Sequence, residues 1–219
     1  MQKILLTALI AGFIAGLVSF GIQQVKLSPL ILQAETYEKG EHNDDHHHDS
    51  ESWAPENGLE RNVYSALANI GMGVGFAMML IGVFVLRGEK MTTNRGILWG
   101  IAGFATFSLA PAFGLPPELP TTMAADLSER QIWWVATAIA TAIGIYSLSF
   151  SKSTIIKIIA VLILAAPHII GAPRPPLGGA VPTELNAAFA AASLGVSVIF
   201  WITLGAVSGW FYGRNTIRI

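Results

Sequence analysis

Residues 4–22 read ILLTALIAGFIAGLVSFGI, an uncharged apolar run preceded by Lys3. A helix over this run is long enough to cross a hydrocarbon core of about 30 Å. Gln23, Gln24, Val25 and Lys26 follow it, without the small residues that a signal-peptide cleavage site requires, so the run is expected to remain as a transmembrane helix. The rest of the composition agrees. Of 219 residues, 53% are hydrophobic and 12% charged, with a mean hydropathy of +0.55. Soluble domains carry about 25% charged residues, so this is expected to be an all-α integral membrane protein. There is no cysteine, which excludes disulfides, thiolate metal sites and cysteine nucleophiles. Net charge is −1, no basic tract points to nucleic acid, and no GxxxxGK[ST] loop is present for ATP.

Working outward from this first span (1–23), an acidic histidine-rich loop is expected over 24–62 and a helical membrane bundle over 63–219. Its spans lie near 63–86, 96–113, 132–150, 154–170 and 187–212, for about six transmembrane helices. Five are possible, because 154–170 is short and holds Lys157, Pro167 and His168. Gly12 and Gly16, and Gly71 and Gly75, are four apart, the spacing that lets helix backbones approach. Asn69 and the Met78-Met79 pair are read as packing residues, and Trp133 and Trp134 as interfacial anchors. Ala110-Pro111 and Ala166-Pro167 each end an apolar helix before a glycine and a proline cluster, which would fit an internal repeat.

With six spans, eight Lys and Arg residues (Lys3, Arg87, Lys90, Arg95, Lys152, Lys157, Arg214, Arg218) fall on one side and five on the other. The eight sit in short loops, so that side is expected to be cytoplasmic. The histidine-rich loop and the two proline-rich loops would then share the outer face.

Residues 35–51, ETYEKGEHNDDHHHDSE, hold four of the five histidines. Imidazole and carboxylate groups suit divalent cations such as Co, Ni, Zn, Mn and Fe. The candidate metal ligands are His42, His46, His47, His48, Asp44, Asp45, Asp49, Glu35 and Glu38; the plainer alternative is a solvated acidic spacer. Metal would be cargo, with no permanently bound cofactor. His168, Glu118 and Asp126 are candidates for an ion path, since charges kept at membrane depth usually face a cavity or a partner. Asp126 and Arg130, at i and i+4, would form a surface pair. A di-iron enzyme needs several histidine boxes, and His168 is the one histidine outside the loop, so no enzymatic activity is expected.

Pro29-Leu30-Ile31-Leu32-Gln33-Ala34-Glu35-Thr36-Tyr37-Glu38, Gly114-Leu115-Pro116-Pro117-Glu118-Leu119-Pro120, Ala125-Asp126-Leu127 with Arg130-Gln131-Ile132-Trp133-Trp134, Pro167-His168-Ile169-Ile170-Gly171-Ala172-Pro173, and Phe200-Trp201 with the segment 205–210 run in order along the chain. In these blocks the sequence resembles the CbtA family of prokaryotic cobalt transporter subunits. The resemblance implies a multi-pass protein of the cytoplasmic membrane that takes up cobalt in connection with cobalamin synthesis. It further implies a small partner, CbtB, with its own span and histidine-rich segment, and about five spans in family members. A homo-oligomer is possible. The alternative function is a metal-sensing or assembly subunit that does not itself conduct the ion.

Overall fold

In the computed structural model, which describes residues 2–41, 55, 58–120, 122–175 and 181–216, every regular element among the described residues is helical. The helices are α1 (Gln2–Lys26), α2 (Ser28–Glu41), α3 (Leu59–Arg87), α4 (Thr93–Phe104), α5 (Ala110–Ala112), α6 (Leu127–Phe150), α7 (Thr154–Ile170) and α8 (Thr183–Thr216), with a π-helical turn (Ala105–Leu109) joining α4 to α5. Four of them, α1, α3, α6 and α8, are long and apolar enough to cross a membrane. The other two expected spans are also helical, but one is divided by the π turn and the other is 17 residues long.

The loop expected over 24–62 is helical at both ends. Leu27, Leu30, Ile31 and Ala34, at i, i+3, i+4 and i+7, form one apolar stripe. It packs against Leu119, Val181, Leu185, Phe189 and Val196, which holds α2 in place and makes a second small core. Glu35 therefore sits on a helix. Glu38 also lies on α2, whereas His42, Asp44, Asp45, His46, His47, His48 and Asp49 lie outside the described residues.

Glycines set the helix crossings. A Cβ on Gly12 would lie 2.4 Å from the Val74 backbone, one on Gly16 2.6 Å from that of Ile70, and one on Gly73 2.3 Å from the Gly12 carbonyl oxygen. The expected Gly71 and Gly75 face open space instead. The buried line of α3 is Asn69, Gly73, Ala77, Leu80, Ile81 and Phe84, and at 3.6 residues per turn Gly71 and Gly75 fall off it. A second seam joins α4 to α8, where Gly96 and Gly100 meet Gly205 and Gly209. Between the seams lies the main core, which includes Phe84, Phe200, Trp201 and Leu204.

Asn69 is buried and ties α3 to α1. Its Nδ2 donates to Gln23 Oε1 at 2.9 Å, and Gln23 Nε2 donates back to Asn69 Oδ1 at 3.0 Å. Replacing Asn69 by leucine leaves the Gln23 amide without this partner and is expected to destabilise the protein by about 1 kcal/mol, the scale of interhelical hydrogen bonds in membranes. Thermal unfolding in detergent checks this, and adding Gln23→Leu should return part of the loss.

Helices α6 and α7 form a hairpin. Trp133 Nε1 donates to the Pro167 carbonyl at 3.3 Å, and Gly144 lies under Leu164. Trp133 is thus buried at 8% exposure rather than a lipid-interface anchor, because the first turns of α6 face α7. Gly114 also lies against the Trp133 ring and Ala172, so the chain just past each Ala-Pro terminus converges on one tryptophan. At the hairpin's other end, the Arg87 guanidinium lies 4.0 Å from the Phe150 ring centroid, and Trp99 stacks on Phe150. The described parts of the three long connections accordingly gather at one end of the bundle, opposite the Arg87 and Lys152 turns.

Candidate functional site

Pro111 lacks the N–H that would bond the Phe107 carbonyl in a regular α-helix, and its ring crowds that carbonyl. The helix widens immediately before it, where the Ala110 N–H reaches back five residues to the Ala105 carbonyl. Single π turns of this kind recur at functional sites. Here the turn carries Phe107 and Ser108 towards α8. Phe107 stacks on Trp201 at 5.7 Å between centroids. Ser108 Oγ lies 2.7 Å from Ser197 Oγ and accepts from Trp201 Nε1 at 3.3 Å.

Beside this turn is a cavity of about 900 Å³, widely open to the surface and lined by the π turn and α5, the 115–120 loop, the start of α6, and Ser193, Leu194 and Ser197 of α8. Most of its wall is apolar: Phe107, Leu115, Leu119, Trp134 and four prolines, 111, 116, 117 and 120. Trp134, read as an anchor from sequence, faces Phe107 at 6.2 Å and lines the cavity.

Its charged residues are Glu118 and Arg130. Arg130 donates from one terminal nitrogen to Glu118 Oε2 at 2.8 Å, with both side chains largely covered. Asp126 does not take Arg130 as its i+4 partner. Its carboxylate instead caps α6, accepting from the Ser128 hydroxyl and from the backbone N–H groups of Ser128 and Glu129. These bonds, the Ser128 hydroxyl first, hold the Asp126 carboxyl below its ordinary pKa. The capping role wins because orphan N–H donors at a helix start are satisfied without ordering a long side chain.

The remaining described candidates lie elsewhere. Glu35 pairs with Arg61 at 2.9 Å, joining α2 to the start of α3. His168 is exposed on α7, edge-on to Phe113 and Trp133 at 6.0 and 6.1 Å, and is not part of the cavity wall. Among the described residues no three His, Asp or Glu side chains come together as a metal-binding group. Sequence reading passed over Arg130 as a cavity residue and over Ser108, Ser193 and Ser197 altogether. Glu118, a path candidate from sequence, does lie on the cavity wall, as does Pro111, expected to end an apolar helix.

The structure thus combines an apolar helical bundle with one covered ion pair on a helix-lined cavity. No curated protein and no solved structure matches the chain. The family described as probable cobalt transporter subunit (CbtA) matches residues 1–213. Its description implies membership of a transporter complex and a non-enzymatic role. With nearly the whole length matched, the chain belongs to the CbtA family, the probable cobalt transporter subunits.

Proposed function

We propose that this chain is the main membrane subunit of a cobalt uptake system in the prokaryotic cytoplasmic membrane, and that the ion passes through the cavity beside the π turn. The observation that carries this reading is the cavity itself: a helix-lined space with a carboxylate at its wall, in a chain of a transporter-subunit family. Six crossings would need two further helical runs to cross besides the four long apolar helices. The helical run 93–112 is about 30 Å long and α7 about 25 Å at 1.5 Å per residue, and Arg87, Lys90, Arg95, Lys152 and Lys157 gather at the end assigned to the cytoplasm.

Segment 35–49, on the outer face, collects cations. Its clustered negative charge raises their local concentration without tight binding, and the metal ligands proposed there are His42, His46, His47, His48, Asp44, Asp45, Asp49, Glu35 and Glu38. Of the three path candidates, Glu118 lies on the route. A small membrane partner of the CbtB type completes the transporter.

The test is entry of radioactive cobalt into cells expressing the chain with that partner. Deleting residues 41–49 is expected to raise the half-saturating cobalt concentration about tenfold, the low end of such field effects, with little change in the maximal rate. His168→Ala should leave entry near wild type. Folded protein that gives no entry above background would favour the metal-sensing or assembly role.

A further inference from the structure

The cavity ends at one level on each of its three helical walls. The innermost residues are Phe107 on the π turn, Trp134 and Val135 on α6, and Ser197 on α8. One turn further in, Ala138 of α6 and Trp201 of α8 are buried. At 1.5 Å per residue, Trp134 stands about 11 Å along α6 from Leu127, and the helix continues for about 24 Å beyond it. The open space is therefore a half-channel.

Its floor is made of rings. Phe107 lies 5.7 Å from Trp201 with the planes 9° apart, 6.2 Å from Trp134 and 5.4 Å from Phe76 of α3. Trp201 reaches this level because position 103 is glycine: a Cβ there would lie 2.3 Å from the Trp201 ring. An apolar constriction sheds its water and stops a hydrated ion, and none of the four rings carries a charge to replace the lost hydration. Phe107 is also the ring best placed to move. It sits on the π turn, where the Ala110 N–H bonds the Ala105 carbonyl. One step of register, to the Thr106 carbonyl, would restore an α-helical bond and rotate the segment that carries the ring. Besides α7, α6 makes its close backbone approaches to this turn and to α5, so a change there shifts the opposite wall as well.

We infer that Phe107 is the gate on the ion's route: its ring, closed against Trp134 and Trp201, seals the cavity from the cytoplasmic half of the bundle. The inference rests on the uptake reading and adds to it the point at which passage is controlled.

The chain has no cysteine, so single cysteine substitutions report on the barrier directly. Gln131 is exposed on the cavity wall, and Ala138 is buried one turn past Trp134. In cells, a membrane-impermeant thiol reagent added outside is expected to modify Gln131→Cys and to spare Ala138→Cys. Adding Phe107→Ala to Ala138→Cys should speed its modification about tenfold, the upper worth of one aromatic ring contact. Phe107→Ala alone should raise the initial rate of radioactive cobalt entry, measured with the small partner. Phe107→Leu, which keeps an apolar side chain on the turn, should do both to a lesser degree, and it is the variant read if the alanine protein does not reach the membrane. Ala138→Cys modified as fast as Gln131→Cys with Phe107 in place, or spared in a folded Phe107→Ala protein, would overturn the inference. So would a folded Gln131→Cys protein that the reagent does not reach. Faster modification with cobalt entry unchanged would overturn it too, by placing the barrier off the ion's route. Absence of cobalt entry in every variant, with the modification pattern as expected, would overturn the uptake reading and the gate with it, leaving a sealed half-channel of another purpose.

Discussion

Replacing Gly205 by valine is expected to leave almost no folded protein in the membrane. A Cβ at this position would lie 2.3 Å from the Gly96 carbonyl oxygen and 3.0 Å from the Gly100 backbone. Those atoms belong to another helix backbone, so no rotamer change relieves the overlap, and α4 must move away from α8. Overpacking a well-packed core costs about 1–3 kcal/mol when side chains can yield; here a whole seam must open, and the loss should exceed that range. The seam borders Trp201 and Leu204, so the main core opens with it. Gly75→Val is the matched control, because nothing lies near a Cβ at that position. Yield of monodisperse protein in mild detergent, followed by thermal unfolding, separates the two. Equal yield and equal Tm would mean that the backbones do not approach at this crossing.

The membrane class and most helix positions were legible because long apolar runs carry them. The glycine seams were legible only in part. Gly12 and Gly16 were visible by spacing and do meet α3, but the same spacing at Gly71 and Gly75 misled, since spacing alone does not say which face of a helix is covered. Gly96 and Gly100, and Gly205 and Gly209, share that spacing and do meet, but spacing within one helix does not name the helix that it faces. The stripe of Leu27, Leu30, Ile31 and Ala34 was hidden by the acids and turn formers that follow it. The Glu118–Arg130 pair, twelve residues apart, could not be read at all. It exists because the 115–120 loop folds back over α6, whereas local spacing favoured Asp126. The π turn had a readable cause in Pro111, yet the serines it brings to α8 follow from tertiary packing.

Filling the cavity is expected to abolish cobalt entry. Ser197 stands on its α8 wall, with its hydroxyl 2.7 Å from that of Ser108. A phenylalanine there would project among Phe107, Leu115 and Trp134, into apolar surroundings that suit the ring. The substitution is therefore expected to fold and to close the route, lowering entry at least about a hundredfold, the cost of roughly 2.7 kcal/mol on a rate-limiting barrier. Ser197→Ala removes the hydroxyl contact without filling the space and should retain most of the entry. The measurement is radioactive cobalt entry into cells carrying equal membrane levels of wild type, Ser197→Ala and Ser197→Phe, each with the small partner. The account predicts entry at background for Ser197→Phe alone. Entry at the wild-type rate through a folded Ser197→Phe protein would contradict it and place the ion's route outside this cavity.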